Sequence, residues 1–336
     1  MRFLLRLSLL LVTALLAAAG KDFSKLRDGL KQYGLTSFAD LNIAETQTGK
    51  TILSQLSEGT NFGIFAPTNA ALSELSINTT MDAELVAILV SYHITQGNYY
   101  HSVDKSIFID PFHYDTIATT LLNQSTFVQL ENGLNQVIAW KQNGKDINVL
   151  NQPQNTHVLD AFLIEGYAIF SVDHVLSPPP QLSVVLKNNT VGKTDKIRAL
   201  LDTTYVDIPD GKNKTLLKYF DEFYLNGYTF FAPSDDAFGP PFNTVLAGMK
   251  SDEILQLLLN HVVNGTTEYS NHLDSGLKAI TGQSTELDYG KDGKVLYVKS
   301  GNVITKVLQP DVLVRNGVVH VIDAVLTDVP NKKQSD

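Results

Sequence analysis

The chain carries one pattern twice. Gly63-Ile64-Phe65-Ala66-Pro67-Thr68-Asn69-Ala70-Ala71-Leu72 returns as Thr229-Phe230-Phe231-Ala232-Pro233-Ser234-Asp235-Asp236-Ala237-Phe238. At nearly the same distance downstream in each half, Ser91-Tyr92-His93-Ile94-Thr95 returns as Leu259-Asn260-His261-Val262-Val263. Two ordered matches at one spacing require two copies of a single fold. The length of 336 residues agrees with about two domains. Halves of roughly 150 residues each have the size to bury their own core. Residues carried by both copies are expected to serve the architecture. Residues carried by one copy are drift or specialisation.

Composition removes several function classes. The net charge of −9, with no basic stripe, argues against general nucleic-acid affinity. There are no cysteines, so disulfides, thiol nucleophiles and thiolate metal sites are excluded and both cores must hold by packing. The first residues read as a targeting segment. Arg2 and Arg6 are followed by an apolar run over 7–16 and by Ala17-Ala18-Ala19. This predicts a signal peptide over 1–19, since the apolar run is too short for a comfortable membrane span. No other stretch is long enough to cross a bilayer, and the polar end at 330–336 is not a lipid-anchor signal. Five glycosylation sequons, at Asn78, Asn123, Asn188, Asn213 and Asn264, fit a secretory route.

Three consecutive prolines, Pro178-Pro179-Pro180, form a semi-rigid spacer. They predict a first domain over 21–177, a linker over 178–180, a second domain over 181–329 and a polar tail over 330–336. Each copy opens on helical spacing. Phe23, Leu26, Leu30 and Tyr33 share a face that Gly34 closes, and residues 182–187, 196–201 and 216–223 answer in the second copy. Residues 62–66 and 228–232 read as buried strands ended by proline. Thr68 and Ser234 are placed to cap the next helix. Val86, Leu89, Val90 and His93, like Ile254, Leu257, Leu258 and His261, recur at i, i+3, i+4 and i+7, which puts each histidine on a buried stripe. Strands are expected at 126–130 and 295–298, a tight hairpin at 291–294, and a final strand pair within 158–176 and within 308–326. The class is α+β, twice in tandem.

These motifs resemble the fasciclin-like, or FAS1, domain. The Phe-Ala-Pro segments are similar to that family's first box, and the Tyr-His segments to its central motif. Asn316-Gly317-Val318-Val319-His320-Val321-Ile322-Asp323-Ala324-Val325-Leu326 is similar to its closing box. The resemblance covers nearly all of the chain after the signal segment. It implies two tandem domains, each a β-wedge or sandwich with helices packed beside it. Aligned without a gap, the first copy sets Phe170 against His320 and Gly166-Tyr167 against Asn316-Gly317. It keeps Tyr92 where the second copy has Asn260.

The resemblance also supplies candidate binding residues. Tyr92, His93, His261 and His320 lie in its motifs, and the Tyr-His region of some animal members is linked to integrin adhesion. The favoured alternative for the histidines is a half-buried helix-end ring bonded to a neighbouring backbone group. Gln309-Pro310-Asp311-Val312-Leu313 is similar to an adhesion motif of some animal fasciclin domains. An exposed Asp311 beside Pro310 would then reach a receptor's metal, whereas the plainer reading is a strand-entry turn. Tyr99-Tyr100-His101 reads as a loop or an aromatic patch for sugar, and Asp288 and Asp292 as a solvated hairpin rather than a calcium site. No catalytic motif and no metal-ligand or cofactor motif is present. His320 and Asp323, three apart in a strand, face opposite sides.

The expected function is a secreted, non-enzymatic adhesion or matrix and cell-surface protein, with protein or glycan partners and no nucleic acid. The alternatives are a lumenal protein of a vacuole or endomembrane compartment and a small-ligand or glycan carrier. The sequence leaves the oligomeric state open.

Overall fold

The Phe-Ala-Pro strand organises each copy because its alternate residues feed two different cores. In the first copy β1 (Phe62–Pro67) is buried along its whole length. Phe62, Ile64 and Ala66 join a helical cluster with Leu26, Leu30, Ile52, Leu56, Val86 and Val90. Phe65 points the other way, onto Trp140 and Phe170, with ring centroids 5.6 and 5.0 Å away. In the second copy β10 (Tyr228–Pro233) repeats the division: Tyr228, Phe230 and Ala232 face the helices, while Phe231 faces Leu287, Tyr289 and Val298. A period of two with both faces apolar makes a central, doubly covered strand.

The computed structural model describes residues 23–59, 61–74, 82–97, 115–143, 146–188, 192–208, 211–222, 225–273, 278–293 and 295–327. The expected signal peptide, the polar tail, Asn78 and the Tyr99-Tyr100-His101 segment lie outside them. The chain forms two units: Met1–Gln124 with Asn135–Pro178, and Ser125–Leu134 with Pro179–Asp336. The second unit thus contains ten residues from the first half of the sequence.

In the first unit, β2 (Ile94–Gln96), β3 (Asp115–Thr119), β4 (Val137–Asn143), β5 (Asp146–Val149), β6 (Thr156–Ile164) and β7 (Tyr167–Val172) join β1 in the order β2-β1-β7-β6-β5-β4-β3. Only β1 and β7 pair in parallel; the other neighbours are antiparallel. A bridge between Thr95 and Thr120 brings β2 back to the end of β3. Helices α1 (Ser24–Gln32), α2 (Thr36–Ala39), α3 (Gln47–Glu58), α4 (Asn69–Glu74) and α5 (Ala83–Tyr92) accompany the sheet. Gly34, at φ +80°, closes the α1 segment as the spacing predicts. Thr68 Oγ1 accepts from the Ala71 N–H at 3.2 Å, capping α4 as expected.

The second unit has the same sheet. Strands β11 (Val262–Asn264), β12 (Lys278–Ile280), β13 (Glu286–Asp292), β14 (Val295–Ser300), β15 (Val303–Val314) and β16 (Gly317–Ile322) give the order β11-β10-β16-β15-β14-β13-β12. Its helices are α6 (Leu182–Lys187), α7 (Asp195–Thr203), α8 (Leu216–Asp221), α9 (Pro240–Gly248), α10 (Ser251–Leu259) and α11 (Ser270–Leu273), with a small ribbon of β8 (Tyr205–Asp207) and β9 (Asn213–Thr215). Asp292 pairs with Val295, so the hairpin at 291–294 forms. Phe65 pairs with Phe170 and Phe231 with His320, which confirms the ungapped alignment of the closing segments.

Two local expectations fail. Ser234 caps nothing with its side chain, and a single 3-10 turn (Asp235–Ala237) replaces the helix expected there. The Gly239-Pro240-Pro241 sequence that follows restarts the chain as α9, with proline at its first turn. Residues 126–130 are not a strand; they run without a ladder in the segment that belongs to the second unit.

Glycine tolerance gives a test of the packing at the start of α3. Thr46 Oγ1 accepts from the Gly49 N–H at 2.9 Å and donates to Ile43 O at 2.7 Å, and a Cβ on Gly49 would overlap that carbonyl. Gly49→Ala is expected to lower stability by about 1–3 kcal/mol. Gly248→Ala, in α9 with open space around it, is expected to be neutral or to raise stability by up to about 1 kcal/mol. Urea unfolding of both variants reads the opposite signs, and equal effects would contradict the packing.

Candidate functional site

The two helix-borne histidines occupy the same structural position. His93 follows α5 and His261 nearly follows α10, and each is at most 2% exposed. The chain tightens at the helix end, where the His93 N–H bonds Val90 O at 3.0 Å and the Leu89 carbonyl is taken up by the ring, Nδ1 to O at 2.8 Å. The other ring nitrogen meets a backbone donor, the Leu176 N–H, at 3.0 Å from Nε2. That contact fixes the tautomer. Nε2 must accept, so the proton sits on Nδ1 and is donated to Leu89 O. The His93 carbonyl in turn accepts from the Phe65 N–H at 2.8 Å. His261 repeats all three bonds, to Leu257 O (2.8 Å), from the Leu326 N–H (2.8 Å) and from the Phe231 N–H (2.9 Å). One residue therefore joins a helix end, the Phe-Ala-Pro strand and the segment after the last strand.

Burial pushes both imidazoles down to about 4, and the bond to the helix carbonyl opposes this only in part. The rings are neutral, fully buried and bonded at both nitrogens, so no ring atom is left for an outside partner. The bonded helix-end histidine weighed from the sequence is what the geometry displays, with the ring buried rather than half-buried.

Tyr92 is also enclosed. Its hydroxyl donates to Val137 O at 3.3 Å and burial raises its pKa. Asn260, its counterpart, has a different job: its amide donates to Leu326 O at 2.9 Å, so Asn260 and His261 together hold both backbone groups of Leu326. This explains why the Tyr-His pair differs between copies without either losing its scaffold role.

Pro310 and Asp311 sit inside β15, where the pairing with β16 slips between Gln309↔Val321 and Val312↔Val319. A β-bulge accommodates proline, which has no N–H for the ladder. Asp311 adopts φ +55°, a left-handed conformation that Asp tolerates better than most residues. The exposed Asp311 that the receptor-metal reading requires is not found, because the residue is 1% exposed. Its carboxylate accepts from the Ser270 N–H at 2.8 Å and from the Ser270 hydroxyl, and its N–H donates to His320 Nδ1 at 3.3 Å. The bulge turns the side chain inward, to the start of α11.

His320 completes this cluster. With Nδ1 accepting from Asp311, the proton lies on Nε2 and is donated to Glu268 O at 2.8 Å. Burial lowers its pKa, opposed by the charges of Asp311 and Glu268. The ring stacks on Phe231, centroids 5.5 Å apart, where the first unit packs Phe170 tilted against Phe65. Asp323 belongs to another set of bonds, accepting from Thr305 Oγ1 at 2.9 Å and the Lys306 N–H at 2.7 Å, so His320 and Asp323 share no site. Asp288 lies 3.4 Å from Lys278 Nζ. Among the described residues no three His, Asp or Glu side chains gather to hold a metal ion. The sequon residues Asn123, Asn188, Asn213 and Asn264 are all exposed.

Sequence reasoning missed one group. Gln129, Glu131, Gly227, Thr267 and Arg315 come together around residues 125–134. Two signals for it were present: glycine at 227 where the first copy has Asn61, and a longer connection at 120–136 than at 281–285.

Among known proteins, the Fasciclin domain family matches residues 21–178 and 211–328. Transforming growth factor-beta-induced protein ig-h3 of Sus scrofa is 26% identical over 270 residues, covering 79% of this chain and 34% of its own. The Oryctolagus cuniculus protein of that name is 25% identical over 269 residues with the same coverages. The chain thus spans about a third of the length of these relatives. Protein sll1483 of Synechocystis sp. (strain ATCC 27184 / PCC 6803 / Kazusa) is 34% identical over 103 residues, 30% of this chain and 54% of its own. Among solved structures, a FAS1 domain pair from the insect cell adhesion molecule Fasciclin I is similar with a TM-score of 0.39 and 17% identity, covering 89% of this chain and 98% of that one. Among the described residues no helix is long and apolar enough to cross a membrane.

The buried imidazoles make stability depend on pH. Their folded pKa, about 4, lies below the ordinary 6.5, so the unfolded chain binds more protons as pH falls from 6.5 toward 4. Each histidine then costs the fold about 1.4 kcal/mol per pH unit across that window, on the order of 3 kcal/mol in all, and nothing further below it. His93→Gln is expected to be less stable than the parent at pH 7.5, with the gap closing between pH 6.5 and 4. Urea unfolding across this range reads it, and a gap of constant size would refute the neutral-ring assignment.

Proposed function

The chain belongs to the fasciclin domain family over both of its repeats, and on that premise we propose that it is a secreted, non-enzymatic adhesion protein that binds matrix or cell-surface proteins or glycans through its exposed faces. The supporting observation is the inward direction of the motif residues. Tyr92, His93, His261, His320 and Asp311 spend their polar atoms on backbone and on Ser270, so they serve as scaffold and leave recognition to other surface. The exposed sequon asparagines at 123, 188, 213 and 264 are the proposed glycan attachment points and suit passage through a secretory compartment. Two modules on one chain gain avidity wherever both reach the same target.

Adhesion is tested by coating a surface with the full chain, produced in a secretory host, and measuring attachment of cells and of extracellular-matrix fractions. Dose-dependent attachment above that to an albumin-coated surface is expected; attachment at the albumin level overturns the reading. The tagged protein is expected in the medium or wall fraction, and its accumulation in a vacuolar lumen would replace secretion with the lumenal alternative. Asp311→Ala separates scaffold from contact residue. Losing both Ser270 bonds is expected to cost about 1–3 kcal/mol of unfolding free energy, with attachment falling only as far as the folded fraction falls. Attachment lost from a fully folded variant would return Asp311 to the binding surface.

A further inference from the structure

The second unit is built around a peptide that its own repeat does not encode. Residues 125–134 belong to it, although they fall between β3 and β4 in sequence. Gln129 is held on both sides by backbone: its N–H donates to Arg315 O and its carbonyl accepts from the Gly227 N–H, each at 3.0 Å. Val128 and Leu130, on either side of it, are both 4% exposed. One residue further on, the Glu131 carboxylate takes two bonds from Thr267, from its N–H to Oε1 and from its hydroxyl to Oε2, both 2.8 Å. Backbone pairing at one residue, apolar burial on either side and a two-point carboxylate contact are how an extended peptide is read by a groove.

Gly227 shows that the groove is shaped for this occupant. It stands at φ +76°, and a Cβ there would run into the Glu131 carboxylate and lie 2.8 Å from the Glu131 backbone nitrogen. The first copy has Asn61 at this place. The glycine and the long 120–136 connection are thus matched features, each private to one copy: the first repeat carries the peptide and the second the groove that admits it.

We propose that Arg315, Gly227 and Thr267 form a peptide-recognition slot whose resident ligand is the chain's own Ser125–Leu134, so that the second unit is completed by a segment of the first repeat. The ligand class is a short extended peptide with apolar residues flanking a backbone-paired residue and an acidic residue directly after. Covalent attachment gives the resident segment a high effective concentration, which adds to the slot's own affinity for it.

The test is amide hydrogen exchange on the full chain. In the parent, the Gln129 and Gly227 amides are expected to be protected. In Glu131→Ala, with both Thr267 bonds gone, their exchange is expected to speed up by about tenfold or more. The Val319 amide in β16, which reports the core of the same unit, is expected to stay protected. Adding an excess of a synthetic peptide of residues 124–135, capped at both ends, is expected to restore Gly227 protection in the variant, and a scrambled peptide is not. Gly227→Ala is expected to act in the same direction, but its positive φ adds strain, so Glu131→Ala decides. Parental exchange rates at Gly227 in Glu131→Ala, loss of Val319 protection in step with Gly227, or no rescue by the peptide would each overturn the slot.

Discussion

A histidine at the end of α5, and again after α10, closes three backbone bonds that no strand or helix ladder supplies, two through its neutral imidazole and one through its own carbonyl. The helix end leaves a carbonyl free, the segment after the last strand leaves an N–H free, and the Phe-Ala-Pro strand brings another N–H to the histidine's own carbonyl. Buried backbone groups left unpaired would cost about 1–3 kcal/mol each, so this residue decides whether helix and sheet can meet dry. Only an uncharged histidine presents one donor and one acceptor at opposite sides of a flat ring. Protonation removes the acceptor, so burial and bonding both demand the neutral form.

From that junction the two units diverge in how they fill the interior beside the strand. The first uses aromatic packing alone, with Phe65 on Phe170 and Trp140. The second replaces Phe170 by His320 and must then satisfy two more ring nitrogens in a dry site. It does so by bulging β15, so that the Asp311 N–H reaches Nδ1, and by bringing Glu268 O to Nε2. The Pro310-Asp311 pair follows from this choice. Proline tolerates the lost ladder position, and aspartate tolerates the left-handed backbone while anchoring Ser270 at the start of α11. The first copy, with Ala161 in the place of Asp311, has no polar ring to serve.

Much of this was legible in the sequence because it is periodic or local. The duplication, the alternation in residues 62–66 and 228–232, the helical stripe ending in histidine and the hairpin at 291–294 all depend on near neighbours in the chain. The alignment that set Phe170 against His320 was legible for the same reason. The failures are choices of partner between distant residues. Residues 126–130 have strand-like composition, yet their backbone is paired one residue at a time with Arg315 and Gly227, far away in sequence. For Asp311 the sequence offered an exposed receptor contact or a strand-entry turn, and only the bulge, set by register against β16, shows that the side chain turns inward. The helix expected after Ser234 gives way to a single turn whose Asp235 is held by a distant segment, its N–H on Lys193 O and its carboxylate on the Lys196 N–H, each at 2.8 Å.

These distinctions bear on where recognition lies in a protein built of repeated modules. The polar residues that both copies share are consumed by the scaffold, and those that only the second copy has at His320 and Asp311 are consumed by its interior. What differs between the copies and also faces outward is a different set, which includes the sequon asparagines at 123, 188, 213 and 264. A motif's place in a family pattern therefore locates the hydrogen bonds that close the fold. The surface that meets a partner is free to change without touching them, which is how one α+β scaffold can appear twice in a chain and present two unlike faces.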